Sequence, residues 1–194
     1  MKKHFISANE LLLDAFRLAE LIYQRGFHPN FIVGVWRGGA PVGIAVQEYL
    51  ELMGVHSDHI AIRTASYHGI DQQHKEVQVF GLNYVIDNIK AEHSLLIVDD
   101  VFDSGRSLTT IIDQIKARTG ENAPATIKTA CPWYKPSRNV TNLTPDFYVH
   151  ATDAWLVFPH ELQGLTLEEI IAGKGSEIGD LIYRAMQNRR AESF

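Results

Sequence analysis

The chain carries a single cysteine, Cys131, in 194 residues. One thiol excludes an internal disulfide framework and a zinc site built from cysteines, and it suits a reducing cytosol, the compartment we expect. Basic charge is also short: 18 Lys and Arg stand against 23 Asp and Glu, a formal net charge of −5. A nucleic-acid coat needs a basic surface to neutralise phosphates, so no nucleic-acid partner is expected, and any anionic ligand must be met by local positive charge. No apolar run approaches the roughly 18 residues of a membrane span. Glu10 and Asp14 interrupt the stretch that a signal peptide would need after the basic start Met1-Lys2-Lys3-His4. No membrane partner is expected, and the sequons Asn139-Val140-Thr141 and Asn142-Leu143-Thr144 carry no expectation of glycosylation without a secretory route. Internal repeats, low-complexity tracts and a convincing linker are missing as well.

What is present is enough for one core. Hydrophobic residues make up 45% of the chain and aromatics 10%, and the length fits one domain spanning 1–194. Ser7 and Glu10 form a capping box ahead of Leu11, Phe16, Leu18, Ala19 and Ile22, which recur at helical spacing until Gly26. Phe31 to Val35 reads as a buried strand, Trp36-Arg37-Gly38-Gly39 breaks it, and Pro41 opens a helix reaching Met53. His59 to Thr64 predicts a second strand, and Tyr67 to Lys75 a long loop, which in a compact domain is more often functional than idle. Leu95 to Val98 predicts a fully apolar strand followed by a polar turn and a helix through Leu108, Ile111, Ile112 and Ile115. Thr126 to Cys131, Phe147 to His150 and Trp155 to Phe158 supply further strands, and Ser176 to Arg190 a closing helix. This alternation argues for an α/β fold, a mainly parallel twisted sheet flanked by helices, with ligands beyond the carboxyl ends of the strands.

The most informative stretch runs from Leu95 through Val98-Asp99-Asp100-Val101-Phe102-Asp103 to Ser104-Gly105-Arg106-Ser107-Leu108. Three carboxylates fall within five residues at the end of a buried strand, where an unpaired charge is costly and loop backbone becomes free to bind. Neighbouring side chains on a regular strand point to opposite faces, so Asp99 and Asp100 share a ligand only where the strand ends. Ser104, Gly105, Arg106 and Ser107 then offer two hydroxyls, a backbone open to close approach and the amides of a helix start. That is an anion cradle fit for one phosphate. Against it stands ordinary capping, since an Asp-Ser-Gly turn before a helix serves equally to satisfy its first amides.

This string resembles the phosphoribosyl pyrophosphate signature of the type I phosphoribosyltransferases, with Ser104 and Ser107 where threonine is commoner. A carboxylate at Asp103 is similar to the branch acting on 6-oxopurines: hypoxanthine, guanine and xanthine. Trp36-Arg37-Gly38-Gly39 resembles the family's pyrophosphate loop, which implies a cis peptide between Trp36 and Arg37 and a pyrophosphate role for Arg37 and Gly38. Ser66-Tyr67 matches the root of the catalytic loop, and the resemblance makes Lys75 the cation that loop brings over the pyrophosphate. Tyr134-Lys135-Pro136 and Asp153-Ala154-Trp155-Leu156 are similar to the purine pocket: Lys135 donating to O6, Trp155 stacking on the base, backbone near Leu156 reading C2. Glu161, in Pro159-His160-Glu161, stands where the family often places a metal-binding acid, although the surrounding pattern departs from it. The likeness runs from about Phe31 to Glu161, with a core expected over about 27–158 and a small hood built from the terminal segments.

The resemblance implies transfer of the 5-phosphoribosyl group from phosphoribosyl pyrophosphate to a purine base, with Asp103 as general acid and base at N7. Asp99 and Asp100 would then hold the ribose hydroxyls, and Ser104, Gly105, Arg106, Ser107 and the Asp103 backbone the 5′-phosphate. A polyphosphate on a chain of this charge also calls for a divalent ion. Mg²⁺ suits it, with Asp99, Asp100 and Glu161 as expected ligands. The resemblance also implies a homodimer or homotetramer. The rival is a non-catalytic regulator of the same fold that senses nucleotide or phosphoribosyl pyrophosphate, against which Asp103, Arg37 and Lys135 argue. Other classes fail on spacing: no Gly-x4-Gly-Lys-Ser/Thr loop, no dinucleotide fingerprint at Gly173, Gly175 and Gly179, and no second His four residues after His160.

Overall fold

The structure, a computed structural model, describes residues 3–68 and 75–191. Elements follow in the order β1 (Lys3–Phe5), α1 (Ala8–Gln24), β2 (Phe31–Trp36), α2 (Gly39–Leu52), β3 (Asp58–His68) and β4 (Lys75–Phe80). Then come α3 (Asn83–Asn88), β5 (Ser94–Val98), β6 (Val101–Phe102), α4 (Arg106–Thr119), β7 (Thr126–Tyr134), β8 (Phe147–Ala151), β9 (Trp155–Val157), α5 (Leu167–Lys174) and α6 (Ser176–Ala191). Contacts divide the chain into two compact units, one formed from both ends, through Leu11 and from Ala154 onward, the other from Leu12 to Asp153.

In the larger unit, the apolar runs of β2 and β5 lie side by side at the centre of a sheet ordered β4-β3-β2-β5-β7, with β6 and β8 also paired to β7. Every pairing is parallel except β3 with β4. Leu95, Leu96, Ile97 and Val98 are all fully buried, as expected of a parallel strand covered on both faces. Ile111 and Ile115 of α4 pack into the same core as Val33, Ile97 and Phe102.

On α1 the buried positions are Leu11, Asp14, Ala15, Leu18, Ala19 and Ile22, a stripe of helical period. Phe16, expected on that stripe, is exposed instead, and a carboxylate takes the inward place. Asp14 is tolerated there because Arg17 Nη1 donates to it at 3.0 Å and His150 Nε2 lies 2.9 Å away. The segment expected as a loop from Tyr67 to Lys75 is also shorter. β3 runs on to His68 and β4 begins at Lys75, in antiparallel register from Arg63 opposite Phe80 to His68 opposite Lys75. Alternation of Val77 and Val79 with Glu76 and Gln78 makes β4 a strand.

The smaller unit pairs β1 with β9 in parallel, Lys3 to Trp155 and Phe5 to Val157. Thr166 and Glu169 close a capping box on α5, and Lys3 Nζ holds Glu169 at 2.7 Å. The capping box expected at Ser7 is present too: Glu10 accepts from the Ser7 amide at 2.7 Å, and Ser7 Oγ from the Glu10 amide at 3.2 Å.

Helix α2 approaches β2 through glycines. A Cβ on Gly34 would stand 3.2 Å from the Gly39 carbonyl oxygen and 3.4 Å from Ala40 Cα. Gly34→Ala therefore pushes on the first turn of α2, backbone against backbone, and is expected to cost about 1 to 3 kcal/mol. Thermal melts check it, at roughly 2 to 4 °C of Tm per kcal/mol for a chain of this size.

Candidate active site

The central strand breaks at the two aspartates and resumes without slipping. Val98 pairs with Ala130 and Val101 with Trp133, so β6 continues the register of β5 on the same edge of β7. In the gap the Asp99 amide still donates to the Ala130 carbonyl at 3.0 Å. Asp99 Oδ1 accepts from the Asp100 amide at 3.0 Å, and the Gly39 amide donates to the same side chain. Burial first, and the adjacent Asp100 carboxylate second, push the Asp99 carboxyl well above the usual carboxylate range.

The turn after β2 presses on this break. Its peptide between Trp36 and Arg37 is cis, as the family resemblance implies. A Cβ on Gly38 would collide with the Asp100 carboxylate, and one on Gly39 with the Val98 carbonyl oxygen and Asp99 Cα. Both glycines are buried, while Arg37 is exposed beside them. Only residues without side chains let the two loops approach this closely.

Beyond β6, the N-cap of α4 is Gly105, at φ 78°, which has no side chain to cap the helix. The first helical bond is from the Thr109 amide to the Gly105 carbonyl, so the amides of Arg106, Ser107 and Leu108 precede the ladder. Ser104 Oγ reaches only to 3.5 Å from the Arg106 amide. Capping by the Asp-Ser-Gly turn thus amounts to this one long contact. A small cleft of about 80 Å³ opens over it, walled from Asp99 to Leu108. A larger cleft of about 330 Å³ between α2, β2 and β3 is lined mostly by apolar groups such as Ile32, Ile44 and Ile60, a poor match for a polyphosphate.

Asp103 lies between these parts and is held from two sides. Arg138 Nε donates to Oδ1 at 2.6 Å and Lys135 Nζ to Oδ2 at 3.4 Å. Lys135 is buried, and its amide donates to the Phe102 carbonyl at 2.9 Å, which fixes the end of β7 against the turn. The sequence reading missed Arg138; its only signal was a second cation three residues after Lys135.

A cis-linked glycine loop, a broken aspartate strand and an uncapped helix start thus converge at the carboxyl ends of β2 and β5. The sequence pattern of the phosphoribosyl transferase domain family matches residues 6–163. The chain belongs to that family. Among its relatives is a hypoxanthine-guanine phosphoribosyltransferase of Streptococcus pyogenes, 27% identical over 148 residues, 76% of this chain and 77% of the other. A purine phosphoribosyltransferase from Pyrococcus horikoshii superposes with TM-score 0.68 at 27% identity, over 86% of this chain and 99% of its own. A Neisseria gonorrhoeae protein solved with bound ppGpp shares the fold, with TM-score 0.72 at 19% identity over 89% and 96% of the two chains.

In this phosphoribosyltransferase domain the remaining expected residues fall elsewhere. Ser66 and Tyr67 lie on β3 and Lys75 on β4; their side chains, like residues 69–74, lie outside the described residues. Trp155 and Leu156 lie on β9 in the smaller unit, Trp155 exposed and Leu156 buried. Glu161 belongs to that unit too, and its carboxylate closes its own turn by accepting from the Phe158 amide at 2.9 Å. Lys174 Nζ donates to the Phe158 carbonyl at 2.8 Å, and burial lowers its pKa against the opposing influence of Glu161.

The raised Asp99 carboxyl has a sign that a melt can read. Between the unfolded value of 3.8 and the folded one, the folded state keeps a proton that the unfolded chain has lost. Stability conferred at this site is thus lost as pH rises through that window. Asp99→Asn is expected to raise the Tm of the ligand-free protein at neutral pH, with the gain shrinking toward pH 4; a uniform gain across pH would contradict it. Gly38→Ala displaces a side chain and Gly39→Ala meets backbone, so the second is expected to cost more stability, by about 1 kcal/mol or more, in denaturant titrations.

Proposed function

We propose that the protein is a purine salvage enzyme. It moves the 5-phosphoribosyl group from phosphoribosyl pyrophosphate to a 6-oxopurine (hypoxanthine, guanine or xanthine), yielding the nucleoside 5′-monophosphate and pyrophosphate. The observation that carries the reading is the turn from Asp99 to Ser107, where paired carboxylates, an intervening Asp103 and an uncapped helix start occupy one bend. In support, both 27%-identical relatives bear purine phosphoribosyltransferase names.

Each group has a role that its chemistry suits. The amides and hydroxyls of Ser104, Gly105, Arg106 and Ser107 take the 5′-phosphate at the positive end of α4. Asp99 and Asp100 accept from the vicinal ribose hydroxyls, and Arg37 with the Gly38 backbone meets the departing pyrophosphate. Lys135 donates to the carbonyl at C6 of the base. Asp103, three residues beyond the sugar-binding pair, takes the N7 proton as the glycosidic bond forms and returns it in the reverse direction.

Two adjacent carboxylates, one of them raised by burial and then by the charge of the other, fit a divalent cation. Asp99 and Asp100 are the residues that would hold Mg²⁺, and the ion would offset charge on the pyrophosphate.

Pyrophosphate release, assayed with hypoxanthine, guanine, xanthine and adenine, tests the reading directly. Release with the 6-oxopurines and not adenine is expected. Binding of phosphoribosyl pyrophosphate without release from any base would make the protein a sensor instead. Asp103→Asn is expected to lower turnover by about 10²- to 10⁴-fold while nucleotide affinity changes little, and an unaltered turnover number removes Asp103 from the mechanism.

A further inference from the structure

The segment after β7 runs along the turn 102–105 and touches it at four successive residues. The Lys135 amide binds the Phe102 carbonyl at 2.9 Å, and Lys135 and Arg138 share the Asp103 carboxylate. The Val140 amide donates to the Ser104 carbonyl at 3.2 Å, and Thr141 Oγ1 fills the space that a Cβ on Gly105 would need. The Asn139 side chain locks this segment, its Oδ1 accepting from the Thr141 amide at 2.9 Å and its Nδ2 donating to the Leu143 carbonyl at 2.8 Å. The sequon at Asn139 is therefore an internal clasp. Arg138 sits between the two backbone anchors, at Phe102 and at Ser104, so its Cα is fixed relative to Asp103.

The two cations on Asp103 are not equivalent. Arg138 binds Oδ1 at 2.6 Å, whereas Lys135 stands 3.4 Å from Oδ2. Proton transfer needs one carboxylate oxygen aimed at the base and Lys135 turned to the base's carbonyl. The short contact can persist while the long one is given up, leaving Oδ2 facing N7 with the carboxylate plane still held.

We infer that Arg138 is a positioning residue for the transfer: it anchors Asp103 Oδ1 so that Oδ2 is presented to the purine. The inference rests on the transferase reading above. The Arg138 side chain is 59% exposed, and exposed ion pairs contribute little to stability, so truncation should leave the fold intact and the kinetics readable.

The experiment compares wild type, Arg138→Ala, Arg138→Lys and the pair Asp103→Asn with Asp103→Asn/Arg138→Ala, with melts recorded for each. For Arg138→Ala we expect kcat to fall about 10- to 100-fold with KM for phosphoribosyl pyrophosphate within about threefold, and added methylguanidinium to restore part of the loss. Arg138→Lys should retain more activity than Arg138→Ala, and Arg138→Ala should cost nothing further once Asp103 is Asn. Turnover within twofold of wild type in Arg138→Ala overturns the inference. So does a loss that raises both KM values in parallel, ignores methylguanidinium and persists in the Asp103→Asn background, because that pattern marks a structural role. A wild type that releases no pyrophosphate with any base overturns the transferase reading, and this inference with it.

Discussion

The close approach of the Trp36–Gly39 turn to the Asp99–Asp100 break is the constraint from which the rest follows. Two backbones meet where a single methyl group on either Gly38 or Gly39 has no room. In keeping with that contact, the helix following β2 is packed on the sheet through Gly34 and Gly43, where a Cβ on Gly43 would stand 3.4 Å from Gly34 Cα. The same contact explains why Asp99, part-buried against this turn, favours its proton. An arrangement that crowds like charges without a ligand sets binding against stability, as functional sites commonly do.

Much of this was legible in the sequence because it is local. The apolar runs of β2 and β5, the Ser7 capping box and the aspartate-rich bend are each contained within a dozen residues, and each obeys a short-range rule of period, capping or turn chemistry. The cis peptide at Trp36 came from family likeness, not from local rules. What escaped depends on tertiary pairing. Arg138 binds a carboxylate 35 residues away, and nothing in a three-residue helical turn announces that. Asp14 enters the sequence reading only as a charge in an otherwise apolar start, and its inward place is explained by His150, contributed from 136 residues on. Strand β4 has no counterpart in the sequence reading, because its alternation begins at the rim of a polar stretch that reads as loop.

The site is built from elements of unequal rigidity. Asp99, Asp100 and Lys135 are anchored by the central parallel strands, where register is fixed by burial on both faces. Ser104 to Ser107 depend on the turn and on the segment from Lys135 to Thr141 that lies along it. That segment has no regular structure beyond a single turn at Pro136–Arg138, and its shape is set by side-chain amide and hydroxyl bonds in place of a ladder.

The clasp at Asn139 bears on how the protein can be produced. Attachment of an oligosaccharide modifies the very side-chain nitrogen that here donates to the Leu143 carbonyl, and it happens on the nascent chain as it enters the endoplasmic reticulum. Routing this polypeptide through a eukaryotic secretory host would therefore decorate Asn139 before the clasp closes, leaving sugar where the backbone along the turn 102–105 must pass. Bacterial expression avoids the conflict and leaves the Asn139 amide free to make both of its bonds.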